Sequence, residues 1–270
     1  MKNLFPPVVL LLISLISPVG AQETELDPKI ADAKIARWEK DIAKLEQLNL
    51  AEPKLSQAIL YYGSSSIRFW AGLPNDMAPW PAIKRGYGGA KLPDAIHYAP
   101  RIVGPHLGET NPDRCRAVVL FVANDISGKD DDATPSKVAD RFSQLHQWIR
   151  KQDATIPVFW IEVTPTRKRW SHWQKISDAT KRIGQTIDTD ANTHLIATAG
   201  SYLGIDGKPR AELFVNDQLH LNEAGYQLWA GLIKAQLHSK LGAAVPWQAN
   251  AVKQPKVDLQ SQPEKLPATK

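Results

Sequence analysis

Cysteine is almost absent from this chain: Cys115 is the single example in 270 residues. An intramolecular disulfide and a cysteine-built zinc site are both excluded, and the lone thiol reads as a small buried hydrophobe beside a strand. The seven histidines show no His-Glu-x-x-His or comparable ligand spacing, so no metal and no cofactor is inferred. Internal repeats are missing, as is any shift in composition large enough to mark a second core. No apolar run is long enough for a membrane span: the stretch Val8 to Ile16 is broken by Ser14 and is far shorter than the roughly 20 apolar residues a bilayer requires. Concentrated charge is lacking too. Lysine and arginine total 33 against 28 acidic residues, for a net charge of +5. The excess is spread thinly, and its densest cluster is Arg167-Lys168-Arg169, which excludes the basic stripe of a nucleic-acid-binding face.

What is present suits one globular domain. An apolar content of 43% over this length supports a single substantial core. Lys2, the apolar run to Ile16 and the small residues Val19-Gly20-Ala21 have the layout of a secretory signal with cleavage after Ala21. The expectation is a signal peptide over 1–21, a domain over 22–242, and a secreted or periplasmic protein with no stable membrane insertion after cleavage. An uncleaved anchor is the competing reading. From Ala243 to Lys270 the chain turns rich in Pro, Gln and Lys and reads as a disordered tail, or as a segment laid on the surface with Trp247 as its anchor. Oligomeric state is left open.

Hydrophobic periodicity places the elements between these ends. Asp27 to Leu48 carries Ile35, Trp38, Ile42 and Leu45 at helical spacing and reads as an amphipathic helix. Ala58 to Tyr62, Ala82 to Arg85, Ala117 to Val122, Pro157 to Val163 and Thr193 to Thr198 read as strands. Between and after them, helices are expected over Leu92 to Ile102, from Pro135 with Thr134 as its N-cap, over Trp173 to Ile187, and from the N-cap Asn222 through Leu237. Asp130 to Asp132 are taken to complement the dipole of the helix they precede, ahead of a metal-loop reading that lacks the ligand alternation. Strands alternating with helices predict a parallel sheet of about five strands covered on both faces, a three-layer α/β/α sandwich. Ligands of such folds sit outside the carboxyl ends of the strands.

Chemistry-bearing residues gather at that edge. Ile59-Leu60-Tyr61-Tyr62 runs into Gly63-Ser64-Ser65-Ser66, a strand ending in a sharp turn that can hold a hydroxyl clear of the sheet. The competing reading is an ordinary turn whose serines only cap a helix. Asp217 and His220, three residues apart before a helix start, can pair so that the carboxylate fixes the imidazole tautomer, although an isolated Asp-x-x-His is more often a surface pair. Backbone amides in the Gly63 to Ser66 turn and in Gly88-Gly89, together with the Asn124 amide, are candidate donors to a developing oxyanion. Asn124 read alone is a turn opener.

Gly63-Ser64-Ser65, Gly86-Tyr87-Gly88-Gly89, Val122-Ala123-Asn124-Asp125 and Asp217-Gln218-Leu219-His220, in this order, resemble the four signature blocks of the SGNH (GDSL-type) hydrolases. The resemblance covers about Ala58 to Leu237. The Gly-Ser-Ser-Ser-Ile-Arg form looks like a bacterial esterase-like subgroup of that superfamily. The resemblance implies a flavodoxin-like sandwich, Ser65 as nucleophile with Ser66 as the runner-up, Asp217 and His220 as orienting acid and base, and Ser65, Gly89 and Asn124 as oxyanion-hole donors. Two positions depart from the pattern. Ser64 stands where Asp is common, and Val122 where the block usually has Gly, next to the loop that carries Asn124.

Among nine tryptophans, Trp170 and Trp173 follow the fourth strand and are candidate substrate-binding residues, with loop clamping as the alternative. The expected function is hydrolysis of a carboxylic ester through an acyl-enzyme, with a short-chain ester or an O-acetyl group of a glycan as substrate. Lysophospholipid or aryl ester hydrolysis and acyl transfer by the same triad stay open. A non-catalytic glycan- or partner-binding protein on this fold is the reading from another class.

Overall fold

A computed structural model describes residues 36–53, 55 and 57–244. The signal-peptide segment, residues 27–35 of the first expected helix, and the tail from 245 onward lie outside the described residues. Five strands, β1 (Ile59–Gly63), β2 (Ala82–Gly86), β3 (Ala117–Phe121), β4 (Val158–Ile161) and β5 (Thr193–Ile196), form one parallel sheet in the order β2-β1-β3-β4-β5. The helices are α1 (Glu39–Ala51), α2 (Ser65–Phe69), α3 (Leu73–Asp76), α4 (Leu92–Ile102), α5 (Pro135–Gln152), α6 (Trp173–Ile187) and α7 (Glu223–Leu241).

The three layers follow from the period of two in the strands. Leu60 and Tyr62 of β1, Val118 and Leu120 of β3, and Val158 and Trp160 of β4 face a core closed by α1, α4, α5 and α6. Their alternates Ile59, Tyr61, Val119, Phe121, Phe159 and Ile161 face a second core closed by α2, α3 and α7. Every residue of β1, β3 and β4 is buried, as continuous apolar runs in a two-sided parallel sheet require. Cys115 sits two residues before β3, 1% exposed, where burial pushes its thiol up to about 12. It is an inert packing residue.

Both N-caps expected from the sequence form. Thr134 accepts a hydrogen bond from Lys137 N at the head of α5, and Asn222 accepts from Gly225 N at the head of α7. The acidic run before α5 works differently from the expectation. Asp132 turns back to accept from the backbone of Ser127 and Gly128, and Asp131 pairs with Lys91, so two of the three carboxylates fasten loops instead of facing the helix end. At the far end of α7 the two alanines expected to open the tail remain docked. Arg116 donates to the carbonyls of Leu241 and Ala243, and Ala244 packs on the second core.

The sheet order puts a switch point between β1 and β3, where successive connections leave in opposite directions. Gly63 lies there, in register with Gly86 on one side and Phe121 on the other. A Cβ on Gly63 would sit 1.9 Å from the carbonyl oxygen of Phe121, and one on Gly86 would sit 2.3 Å from Arg68 N of α2. Both obstructions are main chain, which cannot rotate aside as a side chain can. Gly63→Ala is therefore expected to cost at least about 3 kcal/mol of unfolding free energy by denaturant titration, at the upper end of overpacking penalties. A loss within about 0.5 kcal/mol would mean that the β1–β3 junction opens freely.

Candidate active site

Ser64 and Ser65 sit where β1 gives way to α2, a helix of only five residues. Ser64 N donates to Phe121 O at 2.9 Å, and Ser64 O accepts from Ile67 N and Arg68 N, so the turn is fixed by main chain on both sides. Ser64 occupies the N-cap position without a side-chain capping bond. Ser66, the runner-up for nucleophile, lies within α2, and its main-chain carbonyl accepts from Tyr226 Oη of α7 at 2.9 Å. Tyr226 also stacks on Trp70 with ring centroids 5.3 Å apart, so α2 is held between β2 and α7. The Ser65 N–H lies in the first turn of a helix, where no intrahelical acceptor exists for it.

The partner segment is a tight turn after β5. Val215 N bonds to His220 O, Gln218 N bonds to Val215 O, and Gln218 takes a left-handed φ of 55°. Asp217 organises this turn by accepting from the amides of Leu219 and His220 through Oδ1, each at 2.9 Å, while Oδ2 accepts from His220 Nδ1 at 2.6 Å. The other ring nitrogen, Nε2, lies 3.0 Å from Ser65 Oγ. The carboxylate fixes which imidazole nitrogen carries the proton, leaving Nε2 unprotonated toward the serine hydroxyl. Partial burial pushes the Asp217 carboxyl upward, but the bonds from the His220 amide and ring and from the Leu219 amide outweigh it and hold the group below the usual carboxylate range. Phe69 meets the His220 ring edge-on at 5.0 Å and is half exposed.

Two further strand ends face this line of three groups. After β2, Gly88 and Gly89 form a turn, and a Cβ on Gly89 would lie 3.9 Å from Asn124 Nδ2, so the Gly89 backbone and the Asn124 amide are neighbours. Asn124 follows β3. Its Nδ2 donates to Ala90 O at 3.0 Å, and its Oδ1 accepts from Arg169 Nη2 at 2.6 Å. Next to it Asp125 is buried, accepting from Leu92 N at 2.8 Å and from Arg141 at 2.9 Å, which ties the end of β3 to the head of α4. Burial raises the Asp125 carboxyl above its ordinary value, with the Leu92 amide and Arg141 opposing. Val122, the departure from the usual glycine, points into the first core at 2% exposure.

Trp170 and Trp173 stand on the connection after β4, stacked on each other with centroids 6.2 Å apart and planes at 12°. Both are half-buried, and Trp173 packs against the first core, so at least this ring contributes to clamping the loop. Arg169 is the residue at this edge that the sequence did not single out for chemistry. Its only visible signal was membership of a short basic cluster on the loop after the fourth strand. Among the described residues no group of His, Cys, Asp and Glu side chains is placed to hold a metal ion, and no helix is long and apolar enough to cross a membrane.

Comparison with solved structures finds the same fold in several proteins of low identity. A GDSL-like lipase from Bacteroides thetaiotaomicron superposes with a TM-score of 0.58 at 17% identity, over 76% of this chain and 97% of that one. The lipase/acylhydrolase from Enterococcus faecalis gives 0.53 at 18% identity, over 72% and 100%. A carbohydrate esterase family 3 protein from Talaromyces cellulolyticus gives 0.51 at 14% identity, over 68% and 97%. No curated protein matches the sequence. The family model of the GDSL-like lipases/acylhydrolases matches residues 57–228, the stretch that holds all five strands and every residue of the site described above, and the chain belongs to that family of ester hydrolases.

Proposed function

We propose that the protein is a serine esterase that works through an acyl-enzyme, with Ser65 as nucleophile, His220 as general base and acid, and Asp217 as the group that orients the imidazole. The observation that carries this reading is the unbroken line from Asp217 Oδ2 to His220 Nδ1 at 2.6 Å and from His220 Nε2 to Ser65 Oγ at 3.0 Å. In the first half-reaction Ser65 Oγ bonds to the ester carbonyl carbon as its proton passes to His220 Nε2. The carbonyl oxygen becomes an oxyanion, received by the amides of Ser65 and Gly89 and by Asn124 Nδ2. Collapse breaks the bond to the leaving oxygen, and His220 returns the proton to the departing alcohol. Water repeats the sequence on the acyl-enzyme and releases the acid.

A short-chain ester, such as an O-acetyl group on a glycan, is the proposed substrate. Phe69, which meets the His220 ring edge-on, is 51% exposed, which supports a site open to solvent on the side of the base over a deep acyl-chain tunnel. Phe69, Trp170 and Trp173 offer ring faces and edges suited to the apolar faces of sugars. The carbohydrate esterase among the structural neighbours uses the same fold. A secretory address, read from residues 1–21, would bring such a protein to extracellular or periplasmic glycans.

Three measurements test this reading. Ser65→Ala should reduce turnover of a short-chain aryl acetate by about 10⁴-fold or more with an unchanged circular dichroism spectrum. The wild type should prefer acetyl esters and acetylated glycans over long-chain esters, whereas activity retained by the variant would end the assignment of Ser65. Asn124→Ala should lower kcat about 10²- to 10³-fold with little change in KM, and a near-wild-type kcat would remove Asn124 from the oxyanion hole. The third measurement concerns pH. Because Asp217 is held below the usual carboxylate range, it stays ionised to lower pH than an ordinary aspartate and adds no proton of its own to the acid limb. Log kcat/KM should therefore fall with unit slope on the acid side, and a slope of two would mean that Asp217 titrates together with the imidazole.

A further inference from the structure

An asparagine side chain is a near-symmetric fork whose two prongs have opposite chemistry, one accepting and one donating. A donor to an oxyanion is useful only in one of the two flip states, because the other aims a carbonyl oxygen at a developing negative charge. What fixes the flip of Asn124 is therefore part of the reaction. Two neighbours do so here, from opposite sides. Ala90 O, an obligate acceptor, takes a hydrogen from Nδ2 at 3.0 Å. Arg169, whose guanidinium carries donors only, faces Oδ1 through Nη2 at 2.6 Å. Its Nη1 donates to Ala123 O at 2.5 Å, so the same fork grips the main chain one residue before Asn124 and the side chain of Asn124 itself.

We infer that Arg169 is a positioning residue of the oxyanion hole, which locks the Asn124 carboxamide with its nitrogen toward the reacting carbonyl and polarises that nitrogen as a donor. The inference rests on the proposed role of Asn124. Nδ2 has two hydrogens: one is used by Ala90 O and the second is left for the oxyanion. A full positive charge on the oxygen side draws electron density across the amide and strengthens the remaining N–H as a donor, as expected for hydrogen bonds in series. Arg169 is half-buried, and that burial lowers its pKa from the ordinary arginine value while the Asp132 carboxylate opposes the shift. Burial also weakens solvent screening of its effect on the amide.

Arg169 comes from a different strand connection than the group it holds. It lies in the helical turn Arg167–His172 after β4, whereas Asn124 follows β3. The amide of the preceding residue, Lys168, donates to Gln218 O at 3.1 Å, within the turn that carries Asp217 and His220. One short segment thus touches both the base-bearing turn and the oxyanion amide. Lysine in place of arginine would supply a point charge without the two-pronged grip.

The test is a double-substitution cycle on short-chain ester hydrolysis, with Ser65→Ala as the control for the underlying reading. Arg169→Met should lower kcat about 10- to 100-fold, less than loss of the donor itself, with KM changed by less than about threefold. In an Asn124→Ala background the same substitution should lower kcat by no more than about twofold, because there is no amide left to orient. Arg169→Lys should recover part of the loss and Arg169→Gln less. A kcat for Arg169→Met within about twofold of wild type, or an equal loss with and without Asn124, would overturn the inference. Should Arg169→Met fail to fold, Arg169→Lys and Arg169→Gln take its place in the cycle with Asn124→Ala: a loss confined to the Asn124 background supports the inference, and an equal loss in both backgrounds overturns it. Activity persisting in Ser65→Ala would instead sink the esterase reading, so the two failures are distinguishable.

Discussion

Between β1 and β3 the main chains pass so closely that no side chain fits. The position a Cβ of Gly63 would take lies 1.9 Å from the Phe121 carbonyl oxygen, and the next amide, Ser64 N, bonds to that same oxygen at 2.9 Å. This contact sets the exit of β1 at the switch point of the sheet. Once that exit is fixed, α2 must begin at Ser65, because Ser64 O is already accepting the amides of Ile67 and Arg68. Gly86 on the other side lets α2 settle onto the end of β2. A serine hydroxyl is thereby presented by backbone geometry before any side chain contributes.

Everything else at the edge arrives from separate connections and meets that hydroxyl. The turn after β5 gathers three bonds on one carboxylate, two from the amides of Leu219 and His220 and one from the imidazole, an arrangement that needs little support from the rest of the fold. By contrast, the Asn124 loop is fastened from several directions. Asp125 ties it to the head of α4, Ala90 to the turn after β2, and Arg169 to the connection after β4. A histidine tautomer is set by a single partner on one nitrogen, and the Asn124 amide is held at both prongs, Nδ2 by Ala90 O and Oδ1 by Arg169.

How much of this was legible in the sequence depended on whether the determining interaction was local. Leu92 and Ile102 bound the helix that the spacing predicts because its apolar face repeats at helical intervals, and the strands Ile59 to Gly63 and Ala117 to Phe121 were visible as unbroken apolar runs between turn residues. The Asp217–His220 pair was visible for the same reason, three residues apart in one turn. The roles of Ser66, Asp131 and Asp132 were not visible, since each is settled by a partner that the local pattern does not reveal: Tyr226 for Ser66, Lys91 for Asp131, and a loop folding back for Asp132. Arg169 was hidden most completely. Its partners lie 45 and 46 residues away, on a strand end whose neighbour in the sheet cannot be deduced from a basic cluster.

The valine at position 122 makes sense in the same terms. A glycine there leaves the strand end free to adjust, and the direction of the following asparagine must then come from the turn itself. A β-branched residue buried in the first core instead anchors the strand end by packing and stiffens it at χ1. That anchoring fixes where the Asn124 backbone lies, but it does nothing to choose between the two flips of its amide, because packing on Val122 is blind to which prong is oxygen. A polar partner with a single hydrogen-bonding sense is needed for that choice, and the acceptor-only Ala90 carbonyl and the donor-only fork of Arg169 supply it from opposite sides. Anchoring and orientation are thus separate functions carried by residues on different strand connections.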